Sequence, residues 1–216
     1  MGGGLQAPFR LTLGGSNHGG VTVRVTSADP GVLRVAANGT TAGTAYIDIY
    51  VADGFTYSDF YVQGVTGATG TAVGLTATQA SFTNGTAQVD VVPAVFQLNN
   101  LAASMTTLWA DDPFDVRVGY LLSNGTTFHY AMVSGAGPLT VTFTSSAPTV
   151  GQLKTSTASG GSVTVTMPVN TYDSPGTVGT GGVAFDPLAG GTTTVSATAP
   201  GFDSAYAGSK QVVTVS

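Results

Sequence analysis

Apolar and polar residues alternate in short bursts along the whole chain. Phe9-Arg10-Leu11-Thr12-Leu13, Val21-Thr22-Val23-Arg24-Val25, Ala45-Tyr46-Ile47-Asp48-Ile49, Phe114-Asp115-Val116-Arg117-Val118 and Val163-Thr164-Val165-Thr166-Met167 all keep period two. Successive side chains of a strand point to opposite faces, so each burst predicts a strand with one buried face. Between the bursts stand Asn38-Gly39, Asp53-Gly54, Asn84-Gly85 and Asn124-Gly125, pairs that suit tight hairpin turns. Many short strands punctuated in this way predict a sandwich or a barrel.

The pattern also repeats. Pro8-Phe9 returns as Pro113-Phe114, and Thr22-Val23-Arg24-Val25-Thr26-Ser27-Ala28-Asp29-Pro30 returns as Thr140-Val141-Thr142-Phe143-Thr144-Ser145-Ser146-Ala147-Pro148. Thr76-Ala77-Thr78 followed by Phe82 returns as Ser196-Ala197-Thr198 followed by Phe202, and each copy closes on a valine-rich strand, Val89-Asp90-Val91-Val92 or Val212-Val213-Thr214-Val215. This divides the chain into copies at 1–92 and 93–216. The second copy is the longer one, which is expected to come from an extended hairpin around Asn124-Gly125 and Ser134-Gly135. It is also preceded by an apolar segment, Val95-Phe96-Gln97-Leu98 through Leu101 to Leu108-Trp109, whereas the first copy has only Met1 to Ala7 before its Pro-Phe. If that segment is the opening strand of the fold, the first copy has no counterpart and presents an unpaired sheet edge.

Composition narrows the chemistry. The 216 residues suffice for two domains, and 42% hydrophobic with only 8% charged residues, together with 31 glycines, is a β-rich profile. All 11 acidic residues are aspartate, which favours turns over helices. A net charge of −5 with six scattered Lys and Arg argues against a nucleic-acid partner. The absence of cysteine excludes thiol catalysis, disulfides and Cys-ligated metals. Met1-Gly2-Gly3-Gly4 is not the basic start of an export signal, and no apolar stretch is long enough to span a bilayer, so no membrane insertion is expected. The start reads as the beginning of an excised module.

On the Ser27-Ala28-Asp29-Pro30-Gly31-Val32-Leu33 stretch, the Gly70-to-Thr78 strand and the closing valine strand, the chain resembles the bacterial immunoglobulin-like tandem repeats of large surface and adhesin-type proteins. The resemblance covers nearly the whole chain. It implies an all-β fold of two tandem immunoglobulin-like β-sandwich domains, an extracellular or cell-surface setting, and a mechanical or presentational role.

Candidate chemistry is sparse. Asp111, Asp112 and Asp115 cluster near the boundary between the copies, where hard oxygen ligands would suit a calcium ion that stiffens the joint. Asp111 and Asp112 would point to opposite faces of an extended segment, which does not suit a catalytic carboxylate pair. His18 and His129 occupy different places in the two copies and make neither a metal site nor a triad. The glycine clusters Gly179-Thr180-Gly181-Gly182 and Gly190-Gly191 are followed by strand residues, not by the helix a phosphate loop needs. Asn38, Asn84 and Asn124 begin Asn-Gly-Thr, formally glycosylation acceptors but better explained as hairpin turns. Tyr46, Tyr50 and Tyr57 belong to an aromatic-rich stretch and are candidate contacts for a glycan, while Trp109 reads as a plug between the domains.

Two sandwiches in series, with chain ends at opposite poles, predict a non-catalytic spacer or stalk module whose partners are neighbouring repeats or identical subunits. A filament subunit that assembles by strand donation and a glycan-binding module are the alternatives.

Overall fold

The computed structural model describes residues 1–216, which form two β-sandwiches joined end to end. The first copy contains β1 (Leu5–Thr12), β2 (Val21–Ser27), β3 (Leu33–Ala36), β4 (Tyr46–Val51), β5 (Tyr57–Gly64), β6 (Gly70–Thr78) and β7 (Gly85–Val91). The second contains β8 (Ala94–Asn99), β9 (Ser104–Met105), β10 (Asp112–Leu121), β11 (Phe128–Tyr130), β12 (Met132–Val133), β13 (Leu139–Ser145), β14 (Gly151–Lys154), β15 (Ser159–Gly160), β16 (Ser162–Met167), β17 (Val183–Pro187), β18 (Gly191–Thr198) and β19 (Lys210–Val215). Helix is limited to single 3₁₀ turns at Val178–Thr180 and Ala207–Ser209, and no helix is long and apolar enough to cross a membrane.

Each copy packs one sheet on another. In the first, β1-β5-β3 faces β4-β2-β6-β7; in the second, β10-β17-β14-β15 with β8 beside β10 faces β16-β13-β18-β19-β9. The period-two bursts become strands with alternating burial, as in β2, where Val23 and Val25 are buried and Thr22 and Arg24 exposed. The ladders confirm the repeat at the level of register. Val25 lies opposite Ala77 in the first copy, and the corresponding Phe143 lies opposite Ala197 in the second. The inner faces form two cores, one around Val25, Leu33, Phe60 and Leu75, the other around Phe114, Phe143, Leu153 and Phe185.

One pair of equivalent positions differs in its polar satisfaction. Ser145 Oγ is buried, donates to Gly151 O at 2.7 Å and lies 2.8 Å from Thr193 Oγ1, whereas the corresponding Ser27 Oγ is buried without a partner. Ser145→Ala is expected to cost about 1–2 kcal/mol and Ser27→Ala to be neutral or stabilising, read from denaturation midpoints, because only the first breaks a bond and strands its partners. A larger loss for Ser27→Ala would reverse that assignment.

The copies also close in the same way, by a parallel contact on their last strand. Val92 N–H donates to Met1 O at 2.9 Å and Gly3 N–H to Val92 O at 3.0 Å; in the second copy Ser216 N–H donates to Met105 O at 3.0 Å and Thr107 N–H to Ser216 O at 3.1 Å. Met1 thus occupies the place of Met105. It follows that Met1 lies at the joint, beside Val92, and only Ser216 lies at an outer pole, so the expectation of chain ends at opposite poles is corrected. β8 runs from the joint to the far pole of the second copy and its residues Ala94–Asn99 pair with Tyr120–Asp115 of β10, which makes it the opening strand that the sequence pattern anticipated.

Candidate functional site

The most elaborated polar structure in the molecule is the joint. It begins with the extra length of the second copy: β10 and β11 form a hairpin around Asn124-Gly125, and the chain then enters β12, which crosses to pair with β1 of the first copy through Gln6↔Met132 and Leu5↔Val133. Ser134 N–H extends this ladder to Gly4 O at 3.1 Å. Leu5, fully buried, belongs to the core cluster of the second copy. Burial of this kind contributes about 1.5–3 kcal/mol for a leucine, so the first copy contributes directly to the stability of the second.

Two buried glutamines bind the same region together. Gln6 Nε2 donates to Gly39 O at 2.7 Å and to Asn170 Oδ1 at 3.0 Å, while Gln6 Oε1 accepts from Gly135 N–H at 3.0 Å and from Gln63 Nε2 at 2.9 Å. Gln63 Nε2 also donates to Thr41 O at 2.8 Å, and its Oε1 accepts from Gly43 N–H at 2.7 Å. The amide of Gln6 is therefore satisfied from both copies, through Asn170 and Gly135 of the second, while Gln63, bonded within the first copy, holds the Gln6 amide in place and so restrains the joint. On the other side of the joint Phe96 and Phe202 stack with centroids 4.5 Å apart, and Asp203 N–H donates to Ala94 O at 2.7 Å.

The aspartates of the proposed calcium site lie elsewhere. β8 traverses the second copy before the chain reaches Asp111, so Asp111, Asp112 and Asp115 sit at the pole remote from the joint, and the placement at the junction is corrected. Each already has a donor. Asp111 pairs with Lys154 Nζ at 3.0 Å, Asp112 Oδ2 accepts from Ala102 N–H at 2.9 Å, and Asp115 accepts from the side-chain amides of Asn99, at 3.2 Å, and Asn100, at 2.5 Å. No cluster of three or more His, Cys, Asp or Glu is placed to hold a metal ion. Lys154 also reaches Asp186 at 3.3 Å, and hydrogen bonding to Asp111 and then Asp186 raises its pKa. The register makes Asp111 and Asp186 the counterparts of Gln6 and Gln63. The outer pole is thus charged and partly exposed where the joint is neutral and buried. Trp109 shares this pole and is 52% exposed; Leu5 and Phe202 fill the joint instead, which corrects the reading of Trp109 as a plug.

Tyr46 and Tyr50 are exposed on the outer face of β4, and Tyr57 is exposed on the outer face of β5, in the opposite sheet. The three rings do not converge. Tyr46 and Tyr57 serve two identical cross-strand units instead. Arg24 faces Asp48 across β2 and β4, with a 2.7 Å ion pair, and its guanidinium lies 4.3 Å from the Tyr46 ring centroid; Arg10 faces Asp59 across β1 and β5, also at 2.7 Å, and lies 4.2 Å from Tyr57. The arginine hydrogen bonds hold both carboxyls below the usual carboxylate range. Asp53 is lowered by the backbone N–H of Gly19 and then of His18. The His18 ring accepts from Gly20 N–H at Nδ1, which leaves Nε2 to donate to Phe55 O at 3.0 Å, so this histidine secures a hairpin. Asn38 and Asn124 accept backbone N–H bonds from Thr40 and Thr126, two residues on, the turn geometry expected of Asn-Gly.

No family model matches the chain, and no curated protein matches it. Among solved structures the chain is similar to "Crystal structure of calcium binding domain CBD12 of CALX1.1", with 10% identity and a TM-score of 0.29 over 92% of this chain and 76% of that one. It is similar also to "Crystal structure of CBD12 from CALX1.2", with 10% identity and a TM-score of 0.28 over 90% and 73%. At these scores the likeness carries no inference about ligands, and the assignment of two tandem immunoglobulin-like β-sandwiches rests on the strand order, register and two cores of the chain itself.

Proposed function

We propose that the chain is a stiff, non-catalytic spacer of two repeats, part of an extracellular or cell-surface protein in which it holds flanking modules at a fixed distance and angle. The observation that carries this reading is the joint. A flexible linker would leave each sandwich complete in itself, whereas here β12 of one copy extends a sheet of the other and Leu5 of the first is buried in the core of the second. Junctions between domains that are small and polar permit relative motion by default; a shared ladder and a satisfied buried amide network oppose it. The surface setting is supported by the resemblance to bacterial surface repeats.

Small-angle scattering combined with light scattering on the purified chain tests this. An elongated monomer with the same maximum dimension with and without millimolar calcium is the expected result. A distance distribution broadened by interdomain motion, or an extension that appears only with calcium, would overturn the stiff, metal-independent joint.

A further inference from the structure

The first copy has a counterpart for each main strand of the second except β8, and the place of that strand is an apolar cleft. β8 lies along β10, sending Phe96 and Leu98 toward the core. The repeat equates Asp115, Val116, Arg117 and Val118 of β10 with Arg10, Leu11, Thr12 and Leu13. No strand lies along that side of β1 beyond Gln6. Leu13 N–H donates to Thr56 O at 2.6 Å, so alternation of the antiparallel ladder turns the N–H and C=O of Arg10 and Thr12 outward, away from β5. The parity matches β10, where Val116 and Val118 bond with Ser174 and Tyr172 while Asp115 and Arg117 face β8. Pro8, like Pro113, has no N–H and marks where such pairing begins.

Two adjoining hollows follow this edge between the sheets. One, of about 160 Å³, is lined by Phe9, Leu11, Phe60, Leu75 and Ala77; the next, of about 80 Å³, by Leu11, Leu13, Val23 and Phe82. The β8 register places the Leu98 position beside Leu11 and the Phe96 position beside Leu13. A second observation comes from the aromatic residues. Phe82 corresponds to Phe202, which stacks on Phe96; in the first copy the ring of Phe82 meets His18 edge-on at 6.1 Å and no phenylalanine. The cleft therefore retains the partner for an aromatic side chain that none of residues 1–92 supplies there.

We propose that the open edge of β1 accepts an extended strand of the β8 pattern, antiparallel to β1 and donated by a neighbouring repeat of the same protein. The source of the strand rests on the reading of the chain as a repeat module: β8 follows the closing strand β7 across only Val92-Pro93, so one repeat's closing strand feeds the next repeat's opening one. The probe is a synthetic peptide with the sequence of residues 93–104, titrated into the whole chain and followed by amide exchange. Saturable binding is expected, with exchange at Arg10 and Thr12 slowed about tenfold or more. Phe82→Ala in the chain, or Phe96→Ala in the peptide, is expected to weaken binding about tenfold through the lost ring contact. Thr12→Pro, which removes an outward donor at an edge position, is expected to abolish it. No binding, binding that leaves the Arg10 and Thr12 amides unprotected, or equal binding of a scrambled peptide overturns the proposal. Self-association of the chain without peptide, with the same amides protected, overturns donation by a neighbouring repeat and places a second copy there. The peptide outcomes leave the scattering test of the stiff joint untouched, and self-association would raise the scattering mass without broadening the interdomain distances, so the two readings fail separately.

Discussion

Phe143→Ala is expected to destabilise the second sandwich by about 3–5 kcal/mol, the cost of an emptied phenylalanine site in a packed core. Phe143 is fully buried in β13, meets Phe114 edge to face at 5.4 Å between centroids, and belongs to the cluster that includes Leu153 and Phe185. Those neighbours come from three strands of the facing sheet, β10, β14 and β17, so no single strand can shift to refill the space. Because Leu5 shares this cluster, the loss is expected to reach the joint as well, and chemical denaturation followed at both copies is the measurement. A cost below about 1.5 kcal/mol would mean that the site collapses easily and that the core is less closely packed than its burial indicates.

Gly135→Val is the corresponding experiment on the joint. A Cβ at Gly135 would stand 2.4 Å from Thr41 O and 2.8 Å from Thr41 N, both backbone atoms that no rotamer change can move. The loop after β12 must back away, which takes Gly135 N–H from Gln6 Oε1 and Ser134 N–H from Gly4 O. The expected loss is about 2–4 kcal/mol, from overpacking together with a buried acceptor left short of donors. Calorimetry of the wild-type chain should give one cooperative transition, and the variant two. An unsplit, unshifted transition would show that the joint does not couple the copies.

The alternating bursts made the strands legible, and the returning Pro-Phe and Ser-Ala-Thr elements made the two copies legible, because burial of one sheet face imposes period two and duplication preserves it. The unmatched apolar segment before the second copy led directly to β8. The joint was hidden, because its parts, Gln6, Gly39, Gln63, Gly135 and Asn170, share no spacing and belong to residue types that turns and surfaces also use. Only the long insertion signalled it, by adding a piece that neither sandwich needs for itself. The aspartates misled for a different reason: residues near a boundary in sequence need not be near it in space, and β8 carries the chain a full domain length before Asp111 begins.

The parallel closure of the last strand has a mechanical meaning. When the second copy is stretched between Ala94 at the joint and Ser216 at the far pole, the pull acts along β8 and along β19. β8 is held by its six-residue ladder with β10, and β19 lies between β18 and β9. Tension therefore loads these ladders in shear, with every hydrogen bond resisting at once, and gives no free strand end from which the bonds would peel one by one.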